Sequence, residues 1–279
     1  MPASDASTPL RVDAAGTALS GEVAGEGTPV VLLHGLTATR RYVVMGSRAL
    51  QRGGHRVLAY DARGHGRSAP ASDGDYSYAR LAQDIGAMLD GAGLPRALLA
   101  GASMGAHSAV RFALAQPERV AGLVLVTPAF DPDRSGTASE LAGWDALARG
   151  LREGGVEGFL AAYDLGAVDP RMRATVETVL RQRLGAHEHP LAVADALEAV
   201  PRSRPFEHAQ ELARLAMPVL VVGSRDEADP GHPLATAERW AEWIPGARLV
   251  VEQPGASPLA WQGGQLSKLI AALAADIRM

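Results

Sequence analysis

The sequence contains no cysteine among its 279 residues. Disulfides, cysteine-based zinc sites and thiol nucleophiles are therefore excluded, and a reducing compartment is compatible with the composition. The chain also lacks any run of about 18 apolar residues, the length that a membrane-spanning helix needs. Its first segment, MPASDASTPLRVD, has neither the basic nor the apolar region of a signal peptide. We therefore expect a cytoplasmic protein with no membrane span.

Runs of basic residues are absent as well. The formal net charge is −4 and the isoelectric point is near 6.1, so no electrostatic footprint for nucleic acid or an anionic membrane is present. The length and the 47% hydrophobic content suit either one large α/β domain or a domain with an insertion.

Short apolar runs alternate with longer amphipathic segments, a rhythm typical of βαβ units and a mainly parallel sheet. Each run ends in turn or polar residues, as strands buried on both faces do. The six runs cover residues 29–35, 55–64, 96–103, 120–129, 217–224 and 247–253. The earlier segment LRVDAAGTALSGEVAG predicts an antiparallel pair, so we expect eight strands in all.

One interval breaks this rhythm. Residues 130–217 contain helix-like segments and no good strand. A gap of this length inside an α/β sheet indicates an inserted helical cap rather than a loop. We therefore expect a core domain formed by residues 1–129 and 218–279, with the cap between its two parts.

The sharpest motif is Gly101-Ala102-Ser103-Met104-Gly105, which lies between a predicted strand and a predicted helix. Small flanking residues permit the strained strand-to-helix turn that lifts a serine hydroxyl above the sheet. The free amides at the helix N-terminus favour negative charge that develops on a substrate oxygen. Ser103 is therefore the candidate nucleophile.

Two further motifs follow predicted strands: His34-Gly35-Leu36, and DARGHGRS at residues 61–68. With the serine motif, and in this order, the sequence resembles the α/β-hydrolase family from about Thr17 to Ile277. The resemblance implies an α/β-hydrolase fold, with a mostly parallel eight-stranded sheet flanked by helices and an inserted cap.

The same resemblance implies roles for individual residues. The backbone amides of Leu36 and Met104 would form the oxyanion hole, and residues 61–68 would buttress the site. His34 and His65 match family positions that shape loops rather than move protons. A serine at the elbow disfavours epoxide opening and halide displacement, because family members with those chemistries use aspartate there.

The acid of the triad is expected just after the penultimate strand. There, the segment PVLVVGSRDEADPGHP presents Asp226. Asp229 on the same loop is the alternative, and Asp131, after LVTPAF, is a more distant one. Beside a histidine, such a carboxylate holds the right tautomer and stabilises the imidazolium.

The family normally supplies its base after the last strand, but no histidine occurs from Ala247 to Met279. The corresponding segment, VVEQPGASPLAWQ, offers Ser257 and Trp261 instead. A serine without a base is a poor nucleophile, because general-base contact typically contributes about 10²–10⁴-fold. The base is therefore either relocated or missing.

His232 is the best candidate for a relocated base. It follows Asp226 by six residues, after a Pro230-Gly231 turn and directly before Pro233. It therefore belongs to the loops at the carboxyl ends of the strands, where open α/β sheets build their sites. The alternative is that His232 only caps the following helix.

The other histidines have different expected places. His55 is expected at the surface, and His187 and His189 in exposed turns of the cap. His208 is a minor candidate for the base. His107 lies one helical turn past Ser103, and the serine is expected to project away from that helix.

The sequence thus predicts a serine hydrolase that cleaves a small or medium carboxylic ester, lactone or thioester through an acyl-enzyme, with Ser103, Asp226 and His232 as the triad. No cofactor or metal is implied, since no histidine–carboxylate cluster has ligand spacing. Two alternatives stay open. One is a C–C bond hydrolase that uses the same serine, and the other is a non-catalytic member that binds a small ligand under the cap.

The cap residues suggest where a substrate would bind. Phe130 and Trp144 are candidates for an apolar pocket, although core packing explains such residues equally well. Arg41 and its neighbour Arg40 follow the oxyanion loop and are candidates for meeting an acidic substrate group. Solvation of a helix surface is the alternative explanation for both arginines.

Overall fold

The computed structural model describes residues 7–226 and 229–277. Its strands are β1 (Ser7–Ala14), β2 (Thr17–Ala24), β3 (Thr28–Leu33), β4 (His55–Asp61), β5 (Ala97–Ala102), β6 (Val120–Val126), β7 (Val219–Val222) and β8 (Arg248–Val250). They form one eight-stranded sheet in the order β1-β2-β4-β3-β5-β6-β7-β8. The expected eight-stranded sheet is therefore confirmed.

The sheet is parallel from β4 to β8, while β2 is antiparallel to both β1 and β4. Because parallel strands point the same way, the ends of β3, β5, β6 and β7 lie along one edge. The segments that follow these four strands carry the motifs noted above. The strands are shorter than the predicted apolar runs, most clearly the edge strand β8, which has only 3 residues.

The helices are α1 (Ala49–Arg52), α2 (Tyr78–Gly91), α3 (Met104–Ala115), α4 (Ala138–Ala162), α5 (Arg173–Leu184), α6 (Pro190–Ala199), α7 (Leu234–Trp243) and α8 (Gly263–Ala275). Within the described residues, no helix combines the length and apolar character needed to cross a membrane.

The central strands are buried on both faces, which explains their continuous apolar sequence. Along β6, Leu123 and Leu125 pack with Trp240 of α7, whereas Val124 packs on the other face with Ile270 of α8. Side chains that alternate in this way separate two apolar layers. Burying each such side chain stabilises the fold by about 1.5–3 kcal/mol before the entropy of ordering is counted.

Between β6 and β7, the chain forms the helices α4, α5 and α6 and no strand, in agreement with the sequence pattern. An apolar cluster joins these helices to the edge of the sheet that carries the motifs. Leu151 of α4 and Leu197 of α6 belong to the same cluster as Leu36 and Met104. The helical segment therefore packs against the expected oxyanion residues.

Candidate active site

Ser103 lies on the turn between β5 and α3. Its φ and ψ angles are 50° and −114°, a conformation that non-glycine residues rarely adopt. The turn is held on both sides: Ser103 N donates to Val126 O at 2.9 Å, and His107 N donates to Ser103 O at 3.0 Å. The backbone of β6 and the first turn of α3 thus fix a strained residue in place.

Close backbone packing explains the two glycines of the serine motif. A Cβ atom on Gly101 would lie 2.3 Å from the carbonyl carbon of Gly105, and one on Gly105 would lie 2.2 Å from Leu33 O. No side chain fits at either position without moving backbone. The motif therefore records how closely α3 approaches β3 and β5.

His232 reaches the serine from the loop that follows β7. Its Nε2 lies 2.8 Å from Ser103 Oγ, and its Nδ1 lies 2.8 Å from Asp229 Oδ1. In this arrangement Ser103 Oγ donates to Nε2, and Nδ1 donates to the carboxylate. A histidine on the loop after β7 therefore contacts the serine, whereas the segment after β8, where the family usually has its histidine, contains none.

The carboxylate beside His232 is that of Asp229, the alternative candidate on the loop, and not that of Asp226, which the sequence analysis favoured. Asp226 Oδ1 accepts a hydrogen bond of 2.8 Å from Leu234 N, so it satisfies an amide at the start of α7. Asp229 precedes the histidine by three residues, and His232 N donates to Asp229 O at 3.1 Å in a turn. Asp131, the third candidate, forms an ion pair of 2.8 Å with Arg239 instead.

The electrostatics of the pair favour charge on both groups. Burial lowers the pKa of His232, but the charge and hydrogen bond of Asp229 outweigh it, and the pKa is raised above 6.5. Burial likewise raises the pKa of Asp229, and the charge and hydrogen bond of His232 overcome this, so that the pKa is lowered. An imidazolium formed at this position is therefore stabilised by its neighbour.

The expected oxyanion loop lies directly beside the serine. A Cβ atom on Gly35 would be 3.6 Å from Ser103 Cβ. Within residues 7–226 and 229–277, the backbone N–H groups of Leu36 and Met104 donate no hydrogen bond to the protein. Both residues are buried. Two unused donors next to a serine are what an oxyanion hole requires.

Two buried histidines hold this loop. His34 Nε2 accepts from Ala62 N at 2.9 Å, which leaves Nδ1 as the donor to Gly35 O at 2.8 Å. His65 Nε2 lies 2.6 Å from Leu36 O, the carbonyl of an expected oxyanion residue. Burial lowers the pKa of both rings. Both side chains are fixed by backbone contacts, as expected for positions that shape loops.

His187 differs from its expected place in an exposed turn. Its Nδ1 accepts from Gly66 N at 2.8 Å, and its Nε2 lies 3.2 Å from Thr37 O. One side chain between α5 and α6 therefore ties together the two loops that flank the serine. The sequence carries no local signal for these contacts, because their partners lie far away along the chain.

His107 is buried and has no free ring nitrogen for the serine. Its Nε2 accepts from the backbone N–H groups of Ala129 and Phe130 at 3.1 and 3.2 Å, and its Nδ1 lies 2.8 Å from the Tyr78 hydroxyl. Burial, followed by the charge of His232, lowers the pKa of His107 to about 3. It is a neutral structural residue.

Two other histidines also lie away from the serine. His55 is buried at the start of β4 rather than at the surface. The apolar contacts around α1 and β4 bring that end of the strand into the core. His208 precedes a short 3-10 helix (Ala209–Arg214), where its backbone N–H donates to Glu211 Oε1 at 3.0 Å.

The proposed substrate-binding residues have separate locations. Phe130 is 8% exposed, and its ring packs edge-on against Phe206 in the core, with ring centroids 5.1 Å apart. Trp144 is half-buried against the apolar cluster of the helical segment. Arg41 is exposed, and Arg40 forms an ion pair of 2.7 Å with Asp61. Packing accounts for Phe130, and the structure does not bring Arg41 to the serine.

The segment after β8 contributes packing and an anchoring hydrogen bond rather than a histidine. Ser257 is exposed and Trp261 is half-buried against the helical segment. Glu252 is buried, and its Oε1 accepts a hydrogen bond of 2.6 Å from Arg225 N at the start of the loop that carries the histidine. The end of β8 thus anchors the loop that carries His232.

Neither metal ligands nor a large cavity mark a second centre near the serine. Within residues 7–226 and 229–277, no cluster of three histidine or acidic side chains is placed to hold a metal ion. A groove of about 810 Å³ lies between α4 and α6, and Ser103 is not among its lining residues. Several of its charged side chains are paired with one another, for example Arg152 with Asp195 at 2.7 Å.

At the edge of a mostly parallel sheet, a serine on a strained strand-to-helix turn is thus hydrogen-bonded to a histidine, and that histidine is hydrogen-bonded to a carboxylate. A sequence profile described as alpha/beta hydrolase fold matches residues 28–263. The chain therefore belongs to the α/β-hydrolase fold family, as its motifs suggested, and is a hydrolase of that fold.

Individual relatives differ in the activities that they are named for. The RutD protein of Azorhizobium caulinodans, provisionally named as a carbamate hydrolase, is 30% identical over 236 residues, or 84% of this chain and 86% of that protein. The 2-hydroxy-6-oxononadienedioate/2-hydroxy-6-oxononatrienedioate hydrolase 2 of Pseudomonas putida is 30% identical over 253 residues, or 82% and 88%. The malate-bound structure of a thermophilic esterase from Thermogutta terrifontis superposes with a TM-score of 0.78 at 25% identity, covering 97% of this chain and 98% of that one.

Proposed function

We propose that this protein is a serine hydrolase that cleaves a small or medium carboxylic ester, lactone or thioester through an acyl-enzyme on Ser103. The observation that carries the proposal is the 2.8 Å separation of Ser103 Oγ and His232 Nε2, with Asp229 at the other ring nitrogen. Contact at this distance allows direct proton transfer from the hydroxyl to the imidazole. The relocated histidine then serves as the base.

In the first half of the reaction, Ser103 Oγ attacks the substrate carbonyl carbon while its proton passes to His232 Nε2. The carbonyl electron pair moves onto oxygen, and the N–H groups of Leu36 and Met104 stabilise that oxyanion. When the carbonyl re-forms, the bond to the leaving oxygen or sulfur breaks. His232 gives its proton to the leaving group, and the acyl group remains on Ser103.

In the second half, His232 takes a proton from water, and the resulting hydroxide attacks the acyl carbon. The bond from carbon to Ser103 Oγ breaks, and the proton on His232 returns to the serine. Asp229 accepts the Nδ1 hydrogen bond throughout, so it holds the tautomer and stabilises the imidazolium in both halves. Every step uses side chains and backbone of this chain, and no cofactor enters.

We assign residues 130–217 as a cap over the serine and residues 1–129 and 218–279 as the core domain. The apolar cluster that joins Leu151 and Leu197 to Leu36 and Met104 supports this assignment. A cap in this position would exclude water and favour apolar acyl groups. Half-buried Trp144 is the aromatic side chain of this cluster that we assign to substrate contact. The absence of cysteine allows a cytoplasmic setting, and we propose that setting for the enzyme.

A C–C bond hydrolase is the second candidate, because the Pseudomonas putida relative is named for a dienedioate substrate of that kind. The same serine attack on a ketone would then release a carbanion, and His232 would protonate carbon rather than oxygen. The RutD relative raises carbamates as a further leaving-group class. These candidates are separated by comparing the turnover of esters with the turnover of a vinylogous diketone by the same protein.

The proposal is tested by fluorophosphonate labelling of the wild type, Ser103→Ala and His232→Ala, with turnover of 4-nitrophenyl acetate and butyrate on the same samples. His189→Ala is the matched control, because His189 is exposed and its side chain makes no cap hydrogen bond. We expect labelling and turnover in the wild type and the control, and loss of both in the two site variants. Labelling that survives in His232→Ala would reject His232 as the base. No labelling of the wild type would favour a protein that binds a ligand under the cap without turning it over.

A further inference from the structure

Arg183, in the last turn of α5, forms no ion pair and no hydrogen bond with the residues that the structure describes. Its guanidinium carbon lies 5.5 Å from the centre of the Tyr42 ring. Its Nε is buried, and among the residues that the structure describes nothing accepts a hydrogen bond from this atom. The residue is half-buried overall, so part of the side chain stays accessible to solvent.

This lack of a partner is unusual for the helix. Arg181, two residues earlier, is exposed and pairs with both Glu157 and Glu177. Arg173, at the other end of α5, donates to Val168 O at 3.0 Å. Burying a charged group without hydrogen bonds costs free energy, so an arginine kept this way indicates a partner that comes from outside the chain.

Packing places Arg183 close to the loops around the serine. Leu180 and Leu184, which lie on either side of it in α5, belong to the same apolar cluster as Leu36 and Met104. Burial is the largest single influence on the pKa of Asp229 and on that of His232, and their mutual interaction outweighs it; the charge of Arg183 is a smaller influence that favours a lower pKa in each. The charge of Arg183 also lowers the pKa of Tyr163, which burial raises. Yet, across the described residues, no ion pair or hydrogen bond joins Arg183 to Asp229. The charge of the guanidinium therefore acts on Asp229 and His232, although Arg183 is bonded to neither of them within the described residues.

Tyr42 connects this position to the serine. It ends the short helical turn Arg40–Tyr42, which continues from the oxyanion loop. Arg183 therefore stacks on an element that follows the oxyanion loop. Tyr163, at the end of α4, packs against the same apolar cluster as Leu36 and Met104. The guanidinium lies where the helical segment closes on the loops around Ser103.

We propose that Arg183, stacked on Tyr42, binds a carboxylate of the substrate, so that the preferred ester or lactone carries a free acid group. The proposal rests on the hydrolase function above and specifies its substrate class. A guanidinium presents paired donors that match the two oxygens of a carboxylate, and its ring neighbour keeps it oriented. A carboxylate there would also satisfy the charge that the protein leaves unpaired.

Two substrates of equal acyl length test this selectivity: the mono-4-nitrophenyl ester of glutaric acid, which is anionic, and neutral 4-nitrophenyl pentanoate. The readout is the ratio of kcat/KM for the anionic ester to kcat/KM for the neutral ester. We expect Arg183→Gln to lower this ratio by about tenfold or more, chiefly through KM of the anionic ester. Arg183→Lys should retain part of the preference because it keeps the charge. Arg181→Gln is the control and should retain the wild-type ratio.

A ratio that is the same in the wild type and Arg183→Gln would overturn the carboxylate subsite. So would an equal loss on both esters, since Arg183 would then act only through the charges of Asp229 and His232. Glutarate binding to Ser103→Ala, measured by calorimetry with and without Arg183→Gln, reads the subsite without turnover. If glutarate binding requires Arg183 but the wild-type protein hydrolyses neither ester, the carboxylate subsite is supported and the hydrolase function is rejected. Ester hydrolysis without such binding would do the reverse.

Discussion

Asp229 and His232 lie three residues apart in one loop, and Asp229 Oδ1 is 2.8 Å from His232 Nδ1. The proposed acid and base therefore come from a single turn after β7, and the nucleophile alone comes from elsewhere. Asp226, on the same loop, bonds to the first amide of α7. The two aspartates can be separated by experiment because they share a loop and differ in partner.

Replacing Asp229 with Asn should lower kcat on 4-nitrophenyl butyrate by about 10⁴, the effect of a wrong tautomer in such triads. Replacing Asp226 with Asn should change kcat far less and leave the free energy of unfolding nearly unchanged, because the amide oxygen of Asn can still accept the hydrogen bond from Leu234 N. Steady-state kinetics and urea unfolding of both variants check this. Equal losses of kcat in the two variants would contradict the assignment of Asp229.

The pH profile follows from the shift at His232. Asp229 raises the pKa of His232 above 6.5, so the imidazole stays protonated to a higher pH than an unperturbed histidine. Since acylation needs the neutral ring, kcat/KM should rise with pH through a midpoint above 6.5. Asp229→Asn should move this midpoint to lower pH, because it removes the charge that holds the proton. A midpoint at the ordinary value that is unmoved by Asp229→Asn would contradict the pairing.

His187 should matter to catalysis although it does not touch the serine. His187→Ala removes the acceptor for Gly66 N and the contact with Thr37 O. An amide left unsatisfied costs about 1–3 kcal/mol of stability. A looser oxyanion loop should also lower kcat by about tenfold, with less change in KM, because oxyanion contacts act in the transition state. His189→Ala is the exposed control, and a loss confined to stability would show that His187 does not position the loop.

Stability should fall on mild acidification. Burial lowers the folded-state pKa of His34 and His65, that of His187 to about 4, and that of His107 to about 3. Below pH about 6.5 the unfolded chain binds protons at these positions that the folded chain does not. The free energy of unfolding should therefore decrease as pH falls from about 6.5 towards 4, by up to about 1.4 kcal/mol per pH unit for each histidine. Urea unfolding midpoints from pH 8 to pH 4.5 measure this, and a flat profile would contradict it.

Two glycine substitutions should act in opposite directions. Gly105→Ala places a Cβ atom 2.2 Å from Leu33 O, so backbone must move and both stability and labelling of Ser103 should fall. Gly143 lies exposed within α4, and a Cβ atom there would meet nothing within 4 Å. Gly143→Ala should therefore raise stability by about 0.5–1 kcal/mol. Thermal unfolding of the two variants checks both signs.

The sequence predicted what depends on local pattern. Buried strands read as continuous apolar runs, and the serine motif could be placed on its turn because its glycines reflect backbone contact. His232 was found by elimination and by its position after the β7 strand. These features are visible because neighbours along the chain determine them.

Contacts between distant segments could not be read in the same way. The partner of His232 depends on how the loop folds at Pro230, and Asp226 and Asp229 are both compatible with the sequence. His187 meets Gly66 and Thr37 only after the helical segment packs onto the core. Arg183 resembles its neighbour Arg181 in sequence, and their different surroundings arise from the side of α5 that each occupies.

Because Asp229 and His232, the proposed acid and base, lie on one short loop, this pair can be transferred between proteins as a single segment. When the base follows β8, the acid and the base lie on two separate segments that must both be preserved. Here, an exchange of residues 223–233 would transfer both proposed residues together. The last strand and helix are then free to diverge in sequence, provided that Glu252 keeps its hold on Arg225 N. The proposed site is thus complete without a histidine in the C-terminal segment.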